Sequence, residues 1–407
     1  MKVKVNNKKN LDNNLLIFNK PKEVFIPLIS GVNADVTILV KKGEYVYKNS
    51  IIAKTKGDFR IPIFSSVSGV VTDFVTKTSY NGSKVKCVAI ENDFKELTSE
   101  VKVLDKYTKE EFILNLKDNG IVGLGGASFP TYVKYENKNI KTLIVNALEC
   151  EEGVLSDSYI GISKCEEILE CIDNILDINK IENAYILITK DNIALKEAFD
   201  NYIGTYLRIK LKLVDNYYPI GYERKLLSDL FKIEYNKYPT EVGYIVNNIS
   251  TIYAISKSLK YNIPLTERVV TFNINDKSYN VLVKLGTPLE YILSSLKVDA
   301  NKFISGGAMM GVLVDKDLVM SFNINSIIIK NIEQSIPSKC IRCGKCVRVC
   351  PMRLSPILIM NANDDKKLMN LHTLNCIECG LCSYICPSKI ELRTCIKNKK
   401  KKLRGDK

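Results

Sequence analysis

The chain contains no tryptophan and a single histidine, His372, in 407 residues. A lone imidazole excludes haem ligation by a histidine pair and argues against histidine-based catalytic triads. No apolar run reaches the length that a membrane-spanning helix needs. The opening stretch MKVKVNNKKNLDNN lacks the apolar core of a signal peptide. Acidic residues are outnumbered, 45 against 59 basic ones, for a net charge of +14. No nucleic-acid partner is implied, because no recognised binding module accompanies that charge. Part of it sits in the tail Lys397 to Lys407, KNKKKKLRGDK. Such a run is expected to be a solvated, disordered end, or a hold on anionic lipid worth about 1 kcal/mol per basic residue. Hydrophobic content of 46% and charged content of 26% are those of an ordinary soluble chain with room for two to four domains.

What the chain has in quantity is cysteine, 13 residues, eight of them in two copies of one pattern. The first is Cys340-x2-Cys343-x2-Cys346-x3-Cys350-Pro351, the second Cys376-x2-Cys379-x2-Cys382-x3-Cys386-Pro387. This is the bacterial ferredoxin run, and two runs predict two [4Fe–4S] clusters. Thiolates two residues apart wrap three corners of a cubane; the fourth, turned by proline, reaches the other cluster. Cluster one then takes Cys340, Cys343, Cys346 and Cys386, and cluster two takes Cys376, Cys379, Cys382 and Cys350. Zinc also binds CxxC pairs, but would leave a thiolate redundant in each run and would not explain Cys-Pro twice. A disulfide framework suits a small secreted domain better than a long chain of this kind. A reducing, cytoplasmic compartment follows, with Cys87, Cys150, Cys165, Cys171 and Cys395 read mostly as packing residues. Clusters of this kind pass electrons one at a time, so the rest of the chain should supply a source or a destination.

Residues 1–23 read as a polar extension, and 24–95 as short β-rich runs broken by Gly43, Gly57, Gly69 and Gly82. That pattern predicts a small β-barrel or sandwich, and the phrase VKKGEYVYKNSIIAKTK…IFSSVSGVV resembles the biotinyl/lipoyl-type barrel, a barrel-sandwich domain. After a helix over Thr108 to Asp118 comes Gly120-Ile-Val-Gly123-Leu-Gly125-Gly126-Ala-Ser-Phe129-Pro130, followed by Lys134. Clustered glycines let backbone N–H groups approach phosphate, and Lys134 offers charge compensation. A buried strand, Lys141 to Asn146, ends at Asn146, Glu149, Glu151 and Glu152. In open α/β sheets ligands bind at that end of the strands. Alternating helices and strands follow, to Val242–Val246, Asn247 and Asn248, with Ser250 or Thr251 expected to cap the next helix. Residues 263–330 read as a β-grasp insertion whose Gly306, Gly307 and Gly311 make turns and whose Met309–Met310 pair is core. Leu354 to Met369 has helical spacing and 331–395 reads as an α-helical ferredoxin domain, leaving 396–407 as the basic tail.

The phrases GIVGLGGASFPTYVK, TLIVNALECEE, IPLTERVVTF, FISGGAMMG, CIRCGKCVRVCP and CIECGLCSYICPSKIEL resemble the C subunit of the Rnf electron-transport complex (RnfC) and its soluble relatives. The α/β part, 96–262, is also similar to the flavin-binding subunit of respiratory complex I. The resemblance implies a multidomain α/β chain with β-rich modules: barrel-sandwich, Rossmann-like FMN/NADH-binding, SLBB-like β-grasp and dicluster ferredoxin domains. It implies FMN held by Gly123, Gly125, Gly126, Lys134, Asn146, Glu149, Asn247, Asn248 and Thr251. It implies NADH contacts at Phe129, Glu151 and Glu223, with Glu149 and Glu151 as catalytic residues.

Departures from those relatives fall at Leu124, Ser128, Leu148, Tyr222 and Glu152, and in the Gly31-Val-Asn-Ala phrase; none touches the cluster cysteines. The implied activity is NADH oxidation through FMN and two clusters, as a peripheral subunit on the cytoplasmic side of the membrane with other Rnf subunits as partners. The alternatives are a soluble cytoplasmic reductase, serving an enzyme such as proline reductase or a cobalamin system, and an iron–sulfur relay without flavin.

Overall fold

A computed structural model of the chain describes residues 15–18, 20–29, 35–99, 102–149, 151, 153–275, 277–331 and 336–405. Cys150, Glu152, the Gly31 phrase and residues 1–14 lie outside the described residues.

The α/β region is a four-stranded parallel sheet flanked by helices. Its spatial order is Ile209–Val214, Asn183–Thr189, Thr142–Ala147, Tyr244–Asn248. The first strand in sequence is therefore interior, and the fourth lies on its other side. Connections leave in opposite directions from this pair, which makes the gap between the ends of Thr142–Ala147 and Tyr244–Asn248 the topological switch point. Thr142–Ala147 is buried on both faces except at Asn146, as a central parallel strand requires. The helix Cys165–Asn179 presents Ile168, Leu169, Ile172, Ile175 and Leu176 to the core, all fully buried. Thr108 caps Lys109–Asp118 through a reciprocal capping box with Glu111. The helix Ile249–Tyr261 starts earlier than the sequence suggests. Asn248 caps it by accepting the N–H of Ser250, so neither Ser250 nor Thr251 is the cap.

The barrel-sandwich region consists of a four-stranded and a three-stranded antiparallel sheet around Val24, Ile26, Val46, Ile52, Val71 and Ile90. In the β-grasp region the hairpin Glu267–Ile274/Lys277–Lys284 is followed by the helix Leu289–Ser295. The last strand, Ser326–Lys330, inserts parallel to the first. One strand was not expected: Leu15–Phe18, within the polar extension, adds to the edge of this sheet parallel to Lys277–Lys284. Its LLIF run half-buries Leu15, Leu16 and Phe18 and leaves Ile17 exposed.

The cysteine-rich region is helical in short pieces. Lys345–Arg348 and Leu381–Tyr384 follow the two CxxC segments, and Leu354 to Met369 is two helices, Pro356–Asn361 and Asp365–Asn370. The tail departs from expectation. Leu392–Arg404 is one continuous helix whose Leu392 and Ile396 are buried, so apolar anchoring overrides the charge run. Among the described residues no helix is long and apolar enough to cross a membrane.

Candidate functional site

The switch point gathers the glycine loop, the ends of two strands and the start of a helix. Thr251, fully buried, accepts the N–H of Leu124 at 2.9 Å, which ties the loop to the helix Ile249–Tyr261. Gly125 lies over the Asn248 side chain, and Gly126 has φ +113° with nothing within 4 Å of where a Cβ would stand. Ser128 at φ +47° donates its N–H to Gly123 and closes the turn. The Lys134 ammonium runs inward to the Val246 carbonyl at 2.6 Å and the Asn247 side-chain oxygen at 3.4 Å. Burial lowers its proton affinity, opposed in part by the charge of Glu223. Asn247, itself buried, donates to the Tyr135 hydroxyl at 2.6 Å, which fixes its amide with the oxygen towards Lys134. A desolvated cation beside an open glycine cradle fits a phosphate-bearing cofactor such as FMN.

The other predicted residues are placed as follows. Asn146 spans the strand end, donating to the Gly221 carbonyl and accepting from the N–H of Leu148. Glu149 accepts the N–H groups of Asp157 (2.7 Å) and Ser158 (3.0 Å) and the Ser158 hydroxyl, at the start of the helix Ser156–Ser163. Its carboxyl is raised above the ordinary range by burial first and by the nearby Asp157 charge second. Glu151 accepts the N–H groups of Met309 (2.7 Å) and Met310 (2.5 Å). Glu223 accepts from Tyr235 at 3.1 Å, and Phe129 packs edge-on against Phe59 with Tyr238 beyond it. Met309 is core as expected, but Met310 is exposed, because the Gly306–Gly311 turn gives them opposite directions.

Sequence reasoning missed two charges here, a half-buried Asp157 and a buried Arg268. Asp157 holds the side chains of Asn248 and Ser250, and Arg268 reaches the carbonyls of Phe322 and Leu124 behind the glycine loop. Desolvation lowers the Arg268 pKa to about 10, offset in part by Asp157. An arginine directly before the Val269–Val270 pair in the buried strand Glu267–Ile274 was the signal available for it.

In the cysteine-rich region Cys350, Cys376, Cys379 and Cys382 line one cavity, together with Leu354, Glu378 and Arg393. These are the four thiols expected to share cluster two, including the one carried over from the first run. Main-chain N–H groups point at sulfur, from Leu354 to Cys350 at 3.3 Å and from Glu378 to Cys376 at 3.4 Å. Burial pushes the Cys382 thiol up to about 12 and Cys379 to about 11, with Cys376 moved the same way. Four thiols facing one space, three of them shifted by burial, suit a multi-iron centre whose metal charge holds its ligands deprotonated, which fits an iron–sulfur cluster. Among the described residues no three such side chains form a set for a single metal ion. In the other half, Ser338 and Lys339 are pinned to Ser388 by two hydrogen bonds of 3.0 Å, which sets the Cys340 run beside Cys386.

One turn joins the two sites. The Glu151 carboxylate is wedged against Gly307, and a side chain at Gly380 would collide with the Met309 carbonyl. Arg393 donates to the carbonyls of Met310 (2.7 Å) and Glu378 (2.9 Å), and the Tyr218 hydroxyl to Cys379 (2.6 Å). None of these links was legible in the sequence, because each spans residues far apart in the chain.

Comparison with known proteins agrees with this geometry. Residues 2–95 match the RnfC barrel sandwich hybrid domain, 116–257 the Nuo51 FMN-binding domain and 339–390 the 4Fe-4S dicluster domain. The chain is 31% identical over 362 residues to the C subunit of the proton-translocating ferredoxin:NAD+ oxidoreductase complex of Clostridium ljungdahlii, covering 83% of this chain and 78% of that one. It is 29% identical over 362 residues to the C subunit of the Na+-translocating complex of Acetobacterium woodii, covering 84% and 81%. It is 32% identical over 340 residues to the C subunit of the ion-translocating oxidoreductase complex of Buchnera aphidicola, covering 79% and 71%. An NAD+-reducing [NiFe]-hydrogenase shares the fold at TM-score 0.50 and 14% identity, over 72% of this chain and 63% of that one. With its FMN-binding and dicluster domains in family order, the chain belongs to the RnfC family, the C subunits of ion-translocating ferredoxin:NAD+ oxidoreductase complexes.

Proposed function

We propose that the chain oxidises NADH with FMN at the switch point and delivers electrons singly, through two [4Fe–4S] clusters, to another subunit or carrier. The observation carrying this reading is the shared turn: the strand end bearing Glu151 and the thiol cavity bearing Cys379 grip the same residues, Met309 and Met310. When bound, FMN supplies conversion between two-electron and one-electron chemistry, and the clusters supply one-electron carriage.

The chain's residues bind and orient. Gly123, Gly125 and Gly126 offer main-chain N–H groups and Lys134 a cation to the phosphate; Asn247 aims Lys134, and Thr251 and Asn248 hold the loop in place. Asn146 and Glu149 shape the strand end, Glu149 by fixing the helix Ser156–Ser163 rather than by reaching outwards. Phe129, with Phe59 and Tyr238 behind it, offers an aromatic face to a nicotinamide or adenine ring, and Glu223 a ribose contact. Around Cys340 the chain is exposed and basic. Lys339, Arg342, Lys345, Arg348 and Arg353 stand in a stretch without an acidic residue from 336 to 363. Electrons would leave there, towards an acidic partner. The tail helix is less suited to lipid, since Lys399, Lys400 and Lys402 bond within the ferredoxin region.

The test is an anaerobic preparation assayed for iron and flavin, then bleached with NADH. Two clusters' worth of iron, one flavin and rapid bleaching are expected. Iron without any capacity for FMN would leave only a relay, and a preparation without iron would remove the whole reading.

A further inference from the structure

The two cysteine runs are near repeats in backbone as well as in sequence. Arg342 and Glu378 have φ +57°, Gly344 and Gly380 are left-handed at +70° and +80°, and Arg353 and Lys389 are at +55° and +54°. In each half the residue two beyond the first cysteine donates its N–H to that cysteine's sulfur, at 3.4 Å in both. Backbone donors to sulfur therefore do not distinguish the two halves at this position. A side chain does.

Lys400, on the helix Leu392–Arg404, is 6% exposed. Its ammonium donates to the Cys376 carbonyl at 2.5 Å and to the Glu378 carboxylate at 2.7 Å. The counterpart of Glu378 in the first half is the exposed Arg342, and among the described residues no buried ammonium meets the Cys340 main chain. Within the Lys400–Glu378 pair, the lysine side chain is 8% exposed and the glutamate 27%. Glu378 lines the thiol cavity together with Arg393, and Lys400 pairs with Glu378 from behind, so two cations stand against one carboxylate that water partly screens, and the field reaching the cavity is net positive. A reduced cluster carries one electron more than an oxidised one, and a fixed neighbouring cation favours that state.

We propose that Lys400 raises the reduction potential of the cluster held by Cys350, Cys376, Cys379 and Cys382, and so separates its potential from that of its twin. This rests on the iron–sulfur reading given above. Lys400 acts through the field, as a positioning residue, and touches no reacting atom.

The test is an EPR-monitored redox titration of the full anaerobic chain, with iron quantitation on every sample. K400Q should move one cluster, and only one, to lower potential by about tenfold in its reduced-to-oxidised ratio, which is about 59 mV for one electron. K400R, which keeps the charge, should restore most of the shift. E378Q, which removes the screened opposing charge, should move the same cluster the other way. Unchanged potentials in K400Q with full iron would overturn the proposal, as would K400Q and E378Q shifting in one direction. Should K400Q lose iron, E378Q decides alone, and no upward shift there overturns the proposal. Wild-type protein lacking iron would instead overturn the underlying reading.

Discussion

The Cys340 run and the Cys376 run share spacing, backbone and the sulfur-directed N–H, yet they occupy different surroundings. The second is built into the molecule. Gly380 presses on the Met309 carbonyl, Tyr218 holds Cys379, and Arg393 and Lys400 close the far side. The first opens to solvent at its start, where Cys340, Ile341 and Arg342 are exposed. The difference teaches that a ligand motif sets which cofactor is held, while the packing around each copy sets what it is near. Both copies touch the flavin-type domain, through Val349 and Leu381 in one core, but only the first turns its leading cysteine outwards.

The comparison can be broken most severely at the ligands. Cys379→Ala should abolish one cluster, removing about half the iron while leaving flavin uptake intact; Cys340→Ala should remove the other cluster. Iron and flavin quantitation checks both. If Cys379→Ala also abolished flavin binding, the two regions would be one folding unit.

The left-handed glycines give a sharper contrast. Gly344→Ala introduces a side chain whose nearest neighbour is the Arg348 guanidinium at 3.6 Å, so only the backbone penalty of about 1–2 kcal/mol applies. Gly380→Ala meets a main-chain carbonyl, which adds an overpacking cost of about 1–3 kcal/mol. Thermal midpoints should fall further for Gly380→Ala. Equal losses would mean that the turn and the second run do not press on each other.

At the exposed run, reversing charge with Arg342→Glu and Lys345→Glu should slow electron delivery to an acidic acceptor about tenfold at low salt. The gap should narrow as ionic strength rises. Stopped-flow rates at two salt concentrations would show it, and a salt-independent defect would point away from this surface.

The smallest effect lies in the α/β region. Glu149 is raised by burial and by Asp157, so the folded state holds a proton that the unfolded chain releases at ordinary carboxylate pH. Stability contributed by this group is therefore present at low pH and declines as pH rises above about 4.3, the unperturbed glutamate value. Glu149→Gln should flatten that slope in melts taken across the range. A slope unchanged in the variant would assign the pH dependence to other groups.

Much of this was legible from local pattern. The parallel strands announced themselves as continuous apolar runs, Cys165–Asn179 as a helical stripe, and the clusters as repeated spacing. The glycine loop, Lys134, Asn247, Asn248 and Thr251 do converge at one switch point. What local pattern obscured was the use of each polar group. Glu149 looks like a ligand beside the strand end, but its oxygens are taken by the helix Ser156–Ser163. Glu151 looks like its neighbour and instead grips a turn more than 150 residues on. KNKKKKLR looks like a solvated end, yet Leu392 and Ile396 dock it and draw Lys400 into the interior.

The sequence by itself determined the dicluster pattern and the order of domains, because thiol spacing and apolar period are short-range properties that one stretch of chain carries whole. Only the tertiary structure decided which cysteine run opens to solvent, which carboxylates are already engaged and which lysine is desolvated. Those depend on burial and on partners far away in the chain, and electrostatic strength in a protein is set by what excludes water, not by the residue alone.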